Sequence, residues 1–120
     1  MMKKVMKDDE KQMHEWIESY YVKIYKFVCN SCKNHETAER VANSTLESAY
    51  KYMRKLRHMD NMRQCSWMMR TARYYVVKEI YESWEHGEDI NARYRLEGEI
   101  DSEQCQKLLK QYEANPFLDE

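Results

Sequence analysis

Two glycines and one proline in 120 residues leave this chain almost no material for hairpin turns. What fills it instead is three long runs of apolar residues at the i, i+3, i+4 spacing of amphipathic helices. The expected class is therefore all-α: a compact bundle of three long helices plus a short C-terminal helix. The length suits one domain with a single modest core.

Residues 1–12 are charged and patternless, and are expected to be frayed. Met13, Trp16, Ile17, Tyr20, Tyr21, Ile24, Phe27, Val28 and Cys32 then make the apolar face of a first helix. Lys33 to Glu36 breaks it, with Asn34 suited to cap a second helix and Glu36 to its first turn. That helix carries Ala38, Val41, Ala42, Thr45, Ala49, Tyr52, Met53 and Leu56 on one face. Residues 57–61 form the next break, with Asp60 or Asn61 as cap, and a third helix runs from about Met62 to Trp84 and stops near Gly87. The helical domain thus spans residues 13–84. Residues 85–120 read as an acidic linker followed by a short helix that starts near Asp101 or Ser102, carries Cys105, Leu108, Leu109 and Tyr112, and ends before Pro116. With so few Leu and Ile, some of the rings must be core, and Trp16, Tyr20, Tyr21 and Tyr52 are the expected ones.

The net charge of −1 hides an asymmetry. Residues 1–84 hold 16 Lys/Arg against 11 Asp/Glu, whereas residues 85–120 hold 4 against 10. A basic body suits a polyanion. The first 22 residues contain no apolar run of signal-peptide length, and no stretch approaches the ~20 apolar residues of a membrane span. A cytoplasmic location without membrane contact is expected, and the four cysteines are expected as thiols.

The third helix carries the most pointed pattern. Met62, Cys65, Met69, Ala72, Val76 and Ile80 form one stripe, expected to face the core. Arg63, Trp67, Arg70, Tyr74, Lys78 and Tyr81 recur at i, i+4, i+7, i+11, i+15 and i+18 on roughly the opposite side. Cations interleaved with large rings are what a single nucleic-acid strand needs, since bases stack on rings while cations track phosphates. The competing reading is that Trp and Tyr cover a neighbouring helix. Lys51, Arg54, Lys55 and Arg57 cluster at the end of the second helix. They either complement the helix dipole or extend the phosphate-attracting surface.

Other chemistry finds little support. Cys29-x-x-Cys32-x-x-His35 offers three zinc donors, but a fourth is missing, because Cys65, Cys105, His14, His58 and His86 are scattered without paired spacing. Cys32 also fits the core stripe of the first helix. No glycine-rich loop follows a strand, and no H-E-x-x-H occurs. Neither an enzyme nor a metal or other cofactor is expected.

The order of these pieces carries a resemblance. The run Trp16 to Val28 resembles the opening helix of region 2 in bacterial sigma factors, above all the small extracytoplasmic-function group. His35-Glu36-Thr37-Ala38-Glu39 followed by Leu46-Glu47-Ser48-Ala49-Tyr50-Lys51 looks like its second helix. Ser66-Trp67-Met68-Met69-Arg70-Thr71-Ala72-Arg73 is similar to the third: a Trp, a hydrophobic pair, a variable residue, then an Ala-Arg pair. The likeness covers about residues 13–83.

The resemblance implies a transcription-initiation module. In that family the second helix docks on the clamp of the polymerase largest subunit, and the third helix with its preceding loop captures the melted non-template strand of the minus-ten element. Carried over, polymerase contact falls to Ala38, Glu39 and Asn43. Strand contact falls to Trp67, Arg70 and Arg73, to which the helical face adds Arg63, Tyr74 and Lys78. An anti-sigma factor is a further implied partner. The departures are Arg40 where the family usually has an acidic residue, Asn43 in place of Gln, Tyr74 in place of Asn, and no counterpart of the promoter-reading region 4. The chain is therefore either a fragment of a longer factor or a stand-alone domain. The alternative function is a diverged interaction module that binds polymerase or a regulator without promoter recognition.

Overall fold

Where the chain carries a capping side chain, a helix begins. A computed structural model describes residues 2–32, 34–85 and 102–117, and among these every regular element is a helix: α1 Met2–Cys32, α2 His35–Lys51, α3 Met53–Leu56, α4 Asn61–Glu85 and α5 Ser102–Ala114. Asn34 is extended (φ −128°, ψ 111°) and its Oδ1 accepts from the Thr37 backbone N–H at 3.0 Å, so α2 starts with one of its orphan donors satisfied. Asp60 does the same for α4, accepting from the Arg63 N–H at 2.8 Å.

Two boundaries differ from expectation. Residues 2–12, expected to be frayed, belong to α1. Once the stretch from Met13 onward has formed the costly nucleus, propagation into polar residues adds one backbone bond per residue. Asp9 is also tied to Arg57 beyond α3, at 3.5 Å. The second run is not one helix either. Tyr52 leaves helical geometry (φ −103°, ψ 21°), and its ring turns edge-on to Trp67 and Phe117, with centroids 6.1 and 5.3 Å away. The short α3 that follows buries Met53 and Leu56. Gly87 and residues 86–101, read as a helix stop and an acidic linker, lie outside the described residues.

Trp16, Tyr20, Ile24, Val28 and Cys32 recur every four residues along α1 and meet Val41, Ala42, Leu46 and Ala49 of α2. Met68, Ala72, Val76 and Ile80 of α4 close this core. Trp16 and Tyr20 are buried and Tyr21 and Tyr52 half-buried, as core rings should be. Among the described residues no helix is long and apolar enough to cross a membrane.

The two stripes of α4 need correction. Met62, expected to face inward, is 80% exposed, and Met68 fills that role at 0%. Trp67, expected on the outer face, is only 4% exposed. The cause is that α4 is covered on both sides. Its inner side packs on α1 and α2, while α5 lies across the other, where Cys105 and Leu109 pack on Val77 with Tyr74 and Tyr81 at the edge.

Candidate nucleic-acid interface

The expected strand-binding side chains divide into an exposed group and a covered group. Arg63 and Arg73 are exposed. Arg63 stands 4.0 Å from Asp60 with both side chains about two-thirds exposed, too open a pair to neutralise it. Lys78 is half-buried. The other three are engaged by the segment 102–117.

Trp67 stacks on Phe117, ring centroids 5.8 Å apart with planes at 21°. Its indole Nε1 is buried with no hydrogen-bond partner among the described residues. Arg70 donates through Nη2 to the Pro116 carbonyl at 2.6 Å and to that of Asn115 at 3.5 Å, and its guanidinium lies 5.9 Å from the Tyr112 ring. Tyr74 stacks on Tyr112 at 4.2 Å and donates its hydroxyl to Glu113 at 3.0 Å. Burial first, then the Glu113 hydrogen bond and charge, pushes the Tyr74 phenol well above the ordinary tyrosine range. Burial likewise pushes Tyr112 up to about 12, against the opposing hydrogen bond with Thr71 at 2.8 Å. The reading in which Trp67 and Tyr74 cover a neighbouring helix thus describes this arrangement.

Beside the covered rings an open pocket of about 300 Å³ is lined by Met59, Met62, Arg63, Ser66, Trp67, Arg70 and Phe117. Its walls are apolar and two of its lining residues are arginines, a combination that suits a flat, weakly polar ring attached to an anion. Lys55, from the basic cluster at the end of α3, places its ammonium 4.4 Å from the Phe117 ring. A second, smaller opening of about 150 Å³ lies between Arg73, Tyr74 and Val77 on α4 and Leu108, Gln111 and Tyr112 of the last helix, with Arg70 also lining it.

On α2, Glu39 and Asn43 are exposed one turn apart on one face, whereas Ala38 is fully buried and contributes packing rather than contact. Arg40 turns to α4, where its Nε meets Glu79 at 2.9 Å and its Nη2 donates to Thr37 at 3.1 Å. With Arg40 about half exposed, this pair is worth at most ~1 kcal/mol.

The cysteine–histidine motif does not converge. His35 Nδ1 lies against Tyr25 and 3.6 Å from Cys29 Sγ, while Cys32 Sγ donates to the Val28 carbonyl at 3.1 Å inside the core. Burial pushes the Cys32 thiol up, away from the thiolate that a metal needs. Among the described residues no group of three or more His, Cys, Asp or Glu is placed to hold a metal.

Phe117 lines the pocket beside Trp67 but is missed by helix periodicity, because it stands past the end of α5. Its signal is local: a lone aromatic directly after the chain's single proline, in an acidic segment. Compared with models of protein families, with curated proteins and with solved structures, the chain has no match.

Proposed function

We propose that this chain is a transcription-initiation module of the sigma region 2 type, which docks through α2 on the clamp of the RNA polymerase largest subunit and holds a melted promoter strand on α4. The observation that carries the reading is the open pocket between the 57–60 loop and α4, where Met59, Met62 and Trp67 make apolar walls and Arg63 and Arg70 supply the charge. A splayed base needs the first and its phosphates need the second. Arg73, one turn on, and Lys78 continue the cationic side toward the end of α4, with the Tyr74 ring between them under Tyr112. Glu39 and Asn43 supply the docking face, with an anti-sigma factor as the partner that would compete for it. No catalytic step is assigned to the chain.

Titration of a labelled single-stranded oligonucleotide, followed by anisotropy at several salt concentrations, tests the reading. Binding should weaken steeply with salt, and Arg63→Ala or Arg73→Ala should each flatten the log–log slope by about 0.7. Binding that ignores both arginines and salt would sink the strand assignment.

The second reading is an interaction module that binds polymerase or a regulator without DNA. It is favoured by one observation: Trp67 and Tyr74 are already covered by the chain's own C-terminal segment, Phe117 on the first and Tyr112 on the second. It expects capture of core polymerase that fails on Glu39→Lys, with no salt-sensitive strand binding.

A further inference from the structure

We propose that residues 102–117 are a built-in strap that competes with a nucleic-acid strand for the α4 face, an inference that rests on the strand-binding reading above. The strap offers α4 the same chemistry a strand would. Carbonyl oxygens of Asn115 and Pro116 occupy Arg70, where a strand would place a phosphate. The rings of Phe117 and Tyr112 lie flat on Trp67 and Tyr74, where a strand would place bases. Three of the six strand-contact residues are thereby engaged, and Arg63 and Arg73 remain exposed for a first encounter.

Two features mark the strap as removable. Within the main core, Ile24, Val28, Val41, Met68, Ala72 and Val76 all lie in α1, α2 and α4; the strap gives it one ring, Phe117, and otherwise adds the separate small cluster of Cys105 and Leu109 on Val77. Opening therefore takes one ring from the main core and leaves the packing of these six side chains in place. The closed form also buries the Trp67 Nε1 with no partner among the described residues, a cost that opening removes. Because the strap is tethered, it acts at an effective concentration that two separate molecules seldom reach, and the affinity for a strand is scaled by the open fraction.

The experiment uses the full chain and a labelled single-stranded oligonucleotide. Phe117→Ala removes the stack on Trp67 and should raise affinity roughly tenfold, the weight of one buried aromatic ring. Freeing Arg70 should also steepen the salt slope by about 0.7, which a merely loosened fold would not do. Hydrogen exchange on the same variant should speed up over 102–114 and stay slow in the core of α1, α2 and α4. Tyr112→Phe keeps the ring, loses only the hydroxyl bond to Thr71, and should give a smaller gain of about two- to threefold, so the test survives if the first variant folds poorly. Unchanged affinity and slope, with α5 amides exposed and the wild type binding strand, overturns the strap and leaves the strand reading standing. No strand binding by the wild type or either variant overturns both.

Discussion

Gln64 holds the loop that leads into α4. It is 7% exposed, its amide donates to the Leu56 carbonyl at 2.9 Å and the Met59 carbonyl at 3.2 Å, and its oxygen accepts from the Tyr20 hydroxyl at 3.4 Å. The Met59 carbonyl and the buried Tyr20 hydroxyl are thus satisfied inside the protein, while the Leu56 carbonyl also takes the Met59 N–H at 3.0 Å. Gln64→Ala removes this partner from the carbonyl of Met59 and the hydroxyl of Tyr20 and should cost about 1–3 kcal/mol, read in urea as a lower midpoint at unchanged slope. A loss under ~0.5 kcal/mol would mean that water reaches these groups and that the loop is not built on Gln64. Nothing in the spacing of α4 singles this residue out. A polar side chain beside an apolar stripe reads as surface, and the need for a donor arises only once the 57–60 loop has folded back over it. Trp67 misleads in the opposite way, since a ring between two arginines reads equally as a stacking platform and as packing.

Helix starts were legible because caps are local chemistry. Asn34 names the beginning of α2 and the pair Asp60 or Asn61 that of α4 from side chains alone, and α5 begins at Ser102 and ends before Pro116 as read. Asn34→Ala should lower stability by about 1 kcal/mol and Asn34→Gly by only a few tenths, measured as a shift in thermal midpoint, because without a Cβ water reaches the orphan N–H groups of the first turn. A loss as large for Asn34→Gly as for Asn34→Ala would put the cap energy wholly in the side-chain bond to Thr37, and no loss in either would show that this bond carries none. Two element boundaries could not be read in advance, for tertiary reasons. The first eleven residues of α1 follow an established helix without a pattern of their own, and the break at Tyr52 exists because its ring meets Trp67 and Phe117, the latter 65 positions further along. Helix periodicity carries no information about a partner so distant in sequence.

The molecule as a whole is organised around α4, and its two-sided cover explains why class and core were legible while the site was not: the outer stripe mixes the covered Trp67 and Tyr74 with the exposed Arg63, so periodicity alone marks it neither as core nor as free surface. Two phenols at the outer seam should make that cover pH-dependent. Tyr74 and Tyr112 ionise less readily folded than unfolded, so their contribution is present in full below pH ~10 and is lost as pH climbs through about 12, the value for Tyr112. Spectrophotometric titration should show late-ionising tyrosines whose transition coincides with release of α5 amides. Ionisation of all ten tyrosines together near the ordinary value would contradict this. The stack of Trp67 on Phe117 has one more consequence. An indole sandwiched away from water emits at shorter wavelength than one that is wet, so the chain carries a native optical reporter at the seam itself. Trp16 stays inside the α1 core when the seam opens, so with the third tryptophan removed as Trp84→Phe the shift in emission on adding a strand reports whether Trp67 has been uncovered, with no label attached.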